Sequence, residues 1–64
     1  MASESLKKKI ARRIAAAERI IQNGRNKESI ESAEEEIINL TSKYNLSLED
    51  MMDIDDMVQK ILKK

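Results

Sequence analysis

Five residues in the middle of the chain, Ile30, Ala33, Ile37, Leu40 and Tyr44, follow one another at steps of three, four, three and four. On an α-helix this spacing keeps all five on one stripe, whereas on a strand it scatters them over both faces. A seam this regular has to be covered by another helix, so it commits the chain to helix packing before anything else is considered. The N-terminal part repeats the pattern. Leu6, Ile10, Ile14, Ala17 and Ile21 are spaced four, four, three and four, and at about 100° per residue they fall within about 80° of arc. Met51, Ile54, Val58, Ile61 and Leu62 make a third, broader stripe, with Leu48, Met52 and Met57 at its sides.

Cap signals divide the stripes. Ser3 or Ser5 precedes the first, and Asn23-Gly24 closes it, where glycine accepts the left-handed conformation without penalty. Asn26 is placed to cap the second helix and Asn45 to end it in the left-handed conformation. Ser47 and Asp50 form a variant of the capping box, and Leu46 and Met51 stand at the positions of a hydrophobic staple. There is no proline, and the predicted helices run over about 4–23, 27–43 and 48–62. The turn Gly24-Arg25-Asn26 is short, so the second helix should fold back antiparallel on the first. The expected fold is all-α: a small three-helix bundle, an antiparallel helical hairpin with a third helix capping it, in one domain over residues 1–64.

A core of 64 residues is small. With no cysteine and no histidine, neither a disulfide nor a structural zinc can reinforce it, which leaves well-packed helices or oligomerisation. The same absences remove the commonest general base and the best nucleophile, and one glycine cannot make a phosphate loop. No catalytic residue is assigned and no enzymatic activity is expected. Nor is a metal or a cofactor: Asp53, Asp55 and Asp56 lack the glycine and terminal glutamate of a calcium loop, and they fall inside a helix. No apolar run approaches the ~18–20 residues of a membrane span, and the lysines of MASESLKKK are not followed by an apolar signal core. The expected setting is therefore cytoplasmic and away from the membrane.

Charge is unevenly divided. Residues 1–27 carry eight basic and two acidic groups, +6, and residues 28–64 carry four basic and ten acidic, −6. Lys8, Lys9, Arg12 and Arg19 cluster opposite the apolar stripe of the first helix, and Glu28, Glu31 and Glu35 do the same on the second, so both groups should point outward. Ile38 lies about 120° from the seam of the second helix and must meet a third helix or another molecule. These features lead to a non-enzymatic protein–protein interaction module or small regulator that presents charged and methionine-rich helix faces. Ile38, Met52 and Met57 are the apolar candidates for a protein partner, and self-association is a second use of the same surplus. The alternative is nucleic-acid binding through Lys8, Lys9, Arg12 and Arg19. The zero net charge and the single aromatic residue weigh against it.

Lys9, Ile10, Ala15, Ala17 and Glu18, followed by Ala33, Leu40, Lys43-Tyr44 and Leu46-Ser47, also carry a resemblance. Over residues 9–18 and 30–50 the chain resembles a small helical-hairpin family of bacterial and phage proteins, a domain of unknown function. It differs from that family's pattern at Asn45, where glycine is expected, and at Thr41, where an apolar residue is expected. The resemblance implies the hairpin and brings no catalytic residue.

Overall fold

One free amide in the first turn of each helix is met by the side-chain oxygen of the residue just before it. The computed structural model describes residues 2–63, which form α1 (Glu4–Asn23), α2 (Lys27–Lys43) and α3 (Leu48–Leu62). Ser3 Oγ accepts from the Leu6 amide at 3.2 Å, and Asn26 Oδ1 accepts from the Glu28 amide at 2.9 Å. At α3 the capping box is reciprocal: Ser47 Oγ accepts from the Asp50 amide, and Asp50 Oδ2 accepts from the Ser47 amide. Asn45 takes the left-handed conformation, φ 42°, in the turn between α2 and α3.

Gly24 corrects one expectation. It sits at φ −60° and ψ 119°, a conformation open to any residue, so backbone freedom does not explain the glycine. Space does. A Cβ at this position would overlap the Ile30 side chain and stand 2.9 Å from the Ile20 carbonyl oxygen. The glycine lets α2 turn back close against the end of α1. Gly24→Ala is expected to destabilise the protein by about 1–3 kcal/mol, the usual cost of overpacking. It would do so even though Ala restricts the unfolded chain, an effect of only about 0.4–1 kcal/mol in the other direction. A urea midpoint equal to or above that of the parent would remove this explanation.

The chain runs up, down and up, so α3 is parallel to α1. The Ala2 amide donates to Asp50 Oδ2 across 3.1 Å at one end, and Arg19 Nη2 donates to the Ile61 carbonyl across 3.3 Å at the other. The latter places a cation at the negative end of α3, where it satisfies a terminal carbonyl. Both α2 and α3 pack extensively on α1 and barely touch each other. α1 is therefore the middle of the bundle. Its buried residues spread from Ala17 through Ile10, Ile14 and Lys7 to Ala11 and Ala15, an arc of about 160° at about 100° per residue. That is twice the width of the stripe that spacing alone marks out. Ala11 and Ala15 supply the added half, and their small side chains let α3 come close. Ile10, Ile14, Leu40, Ile54 and Val58 fill the centre with them.

Two parallel helices place two positive N-terminal ends side by side, which is unfavourable unless negative charge is near. Glu4, Asp50 and Asp53 provide it, gathered round Lys7. Lys7 Nζ lies 2.7 Å from Asp53 Oδ2, 3.2 Å from Glu4 Oε1 and 4.0 Å from Asp50 Oδ1. Lys7 is 7% exposed and Asp50 2%. Such groups are tolerated away from water only when paired, as they are here.

Candidate functional site

The gap left between α2 and α3 forms a concave apolar feature of the surface. It forms a cleft of about 220 Å³ with Ile37 and Thr41 from α2, Leu46 from the turn, and Met51, Ile54, Asp55 and Val58 from α3. Ile14 and Glu18 of α1 complete it. The position of these two follows from the wheel of α1, where they fall between the arc covered by α2 and the arc covered by α3. Thr41 does not make the cleft polar. Its Oγ1 bonds back to the carbonyls of Ile37 and Ile38 at 3.1 and 3.0 Å, which occupies the hydroxyl within its own helix. What remains is an apolar trough with two carboxylates, Glu18 and Asp55, in its wall.

Large apolar side chains continue outward from the trough. Ile38 is 62% exposed, Leu48 76%, Met51 44% and Met52 65%. On α2, Ile38 follows Ile37 and Thr41 round to the α3 side. On α3, Leu48 and Met52 lie beyond Met51 on the flank that faces α2. The two rims thus carry most of the exposed large hydrophobic side chains of the described residues, the exception being Ile20 near the end of α1. Ile38 and Met52, two residues expected from the sequence to meet a partner, stand on opposite rims of one trough. Met57, grouped with them from the sequence, belongs elsewhere. It is half-buried against the core on the other flank of α3, beside Lys8, Ala11, Arg12, Lys60 and Ile61. Leu46 and Met51, which spacing assigns to a hydrophobic staple, also line the trough, and Leu48, at the side of the third stripe, stands exposed beside it.

The basic candidates also separate. Lys8, Lys9, Arg12 and Arg19 are all exposed, but the Arg19 guanidinium is bound to the end of α3. Lys8 and Arg12 flank the shallow Met57 cleft, and Lys9 lies away from it round the helix. Among the described residues none of these four forms an ion pair. Glu35, expected to point outward with Glu28 and Glu31, lines a polar cleft between α1 and α2 with Arg13, Glu36 and Lys43. The three aspartates read as one acidic run do different things: Asp53 pairs with Lys7, Asp56 pairs with Lys60 at 3.1 Å, and Asp55 faces the trough. Among the described residues no helix is long and apolar enough to cross a membrane. The chain matches no family model, and neither a curated protein nor a solved structure matches it.

Proposed function

We propose that this chain is a non-enzymatic protein-interaction module whose site is the trough between α2 and α3. One observation carries the reading: two helices of a small bundle make little contact with each other, with large apolar side chains exposed on both rims. Full burial of one such side chain contributes about 1.5–3 kcal/mol, and a contiguous apolar patch rimmed by polar groups is the usual mark of an interaction surface. The trough suits an amphipathic helix laid along it, a recognition mode that uses anchors at helical spacing. Methionines at the edge adapt to differently shaped anchors.

The reading is tested by titrating the isotopically labelled protein with a neutral helix-forming peptide that carries a leucine stripe and glutamines elsewhere. Amide shifts are expected at Ile37, Thr41, Leu46, Met51 and Asp55, with little change at Lys9, Arg12 and Ala16. Ile38→Asp together with Met51→Asp is expected to weaken binding about tenfold or more, since each substitution places a charge where an apolar anchor would sit. Shifts confined to the outer face of α1 would overturn the assignment. Binding of a nucleic acid that falls steeply with salt and ignores both substitutions would move the function to Lys8, Lys9 and Arg12.

A further inference from the structure

We infer that the occupant of the trough is a basic amphipathic helix of another protein, which lies along α2 and α3 as a fourth helix. The inference rests on the reading of the trough as a protein-binding site and adds the chemistry of what enters it. In a four-helix bundle each helix packs on two neighbours and not on its diagonal partner. Here α1 packs on both α2 and α3 while those two barely touch, so they hold the diagonal and the corner opposite α1 is vacant. A helix placed there would meet Ile37, Ile38 and Thr41 on one side and Leu48, Met51 and Met52 on the other.

The charge of that corner is negative along most of its length. Glu18 and Asp55 line the trough. Glu34 lies one turn before Ile38 on the rim of α2, whereas Asp56, one turn after Met52 on the rim of α3, is already paired with Lys60. Among the described residues, no basic residue lines the trough. Lys27 and Lys63 occur only at its far end, where α2 begins and α3 finishes. Carboxylates beside an apolar seam favour a helix with lysine or arginine flanking its apolar stripe, and opposite charge also speeds the encounter. A second copy is a poor match. Pairing two copies through this face by a two-fold axis sets Glu18, Glu34 and Asp55 of one near those of the other. The outer face of α1 in another copy has the right charge, from Lys8, Lys9 and Arg12, but offers only Ala16 and Ile20 as apolar contacts.

Calorimetry of the full chain with three designed peptides tests this. Each is about 18 residues long, which at 1.5 Å per residue matches the trough helices. All share one leucine stripe, and the other positions are lysine, glutamine or glutamate. The lysine peptide is expected to bind about tenfold more tightly than the glutamine peptide at low salt and the glutamate peptide least, with the spread closing as salt is added. Glu18→Gln and Glu34→Gln with Asp55→Asn should erase the preference and leave the glutamine peptide unaffected. If the lysine and glutamine peptides bind equally, or the preference survives those substitutions, the basic partner is wrong and the trough stands. If no peptide binds, or Ile38→Asp changes nothing, the trough itself falls. Sedimentation showing a dimer that Ile38→Asp dissolves would make the occupant a second copy and overturn the inference.

Discussion

Ile10→Ala is expected to lower the stability by about 2–5 kcal/mol, the range for removing a large aliphatic side chain from a core that cannot collapse round the loss. At roughly 0.05–0.15 kcal/mol per residue a chain of this length has only about 3–10 kcal/mol to lose. The variant should therefore show a urea midpoint reduced by about a fifth at the least and by about half at the middle of both ranges, or be unfolded outright in dilute buffer. Ile10 is 1% exposed and stands on the helix that both others pack against, so neither outer helix can move in to fill the void without leaving its own seam. Ile38→Ala is the matched control. It removes a similar side chain from the surface and should change stability by no more than about 0.5 kcal/mol. Equal losses for the two variants would mean that α1 is not the centre of the packing.

The second large effect is expected where Asp50 joins the two parallel helices. Its carboxyl is held below the ordinary value of 3.8, first by the Ala2 amide and also by the Ser47 amide and hydroxyl, against the opposing effect of burial. Lys7 is held above its ordinary 10.5, first by its hydrogen bond to Asp53, with burial opposing and Glu4 adding to the rise. The signs follow from linkage. A lowered acid contributes fully above its unfolded value and loses that contribution as pH falls through the lower folded one. A raised base contributes fully below its unfolded value and loses it as pH rises through the higher folded one. Between roughly pH 5 and pH 10 both contributions are intact, and the acid limb begins below about pH 4. Asp50→Asn should lower the plateau and make the acid limb shallower in urea titrations taken from pH 3 to 7. Asp50→Ala should lower the plateau further than Ser47→Ala, because it unties the Ala2 and Ser47 amides and takes negative charge from beside Lys7. An acid limb identical to that of the parent would show that this tie does not govern the pH response.

The signals legible in the sequence were those written in local chemistry. The 3-4 spacing marked three helices, and Asn26, Asn45 and the Ser47–Asp50 pair perform the capping and turning that their side chains suit. What stayed hidden depends on neighbours distant in sequence. Ala11 and Ala15 look neutral, because alanine fits any helix face, yet α3 covers both. Lys7 looks like its neighbours Lys8 and Lys9, and only the arrival of Asp50 and Asp53 from α3 sets it apart. Gly24 was assigned to the right turn for the wrong reason, since its role depends on the approach of Ile30. Spacing leaves Ile38 and Met52 outside the core stripes, and both are exposed, but a helical wheel treats each helix alone. It could not show that the two face each other across a gap, or that Met57 turns toward the core.

Because α2 and α3 make little contact with each other, they are not obliged to open together. Release of α2 breaks one interface and leaves α1 and α3 joined; release of α3 does the reverse. Amides near the middle of α1 are shielded unless both events occur, so their exchange with solvent tracks the whole fold while the outer helices exchange through partial openings. A helix seated between α2 and α3 would change that order, because each outer helix would then hold the other through it. Binding would convert two separable openings into one cooperative event, and much of the stabilisation would appear as slower exchange in α2 and α3 rather than in α1.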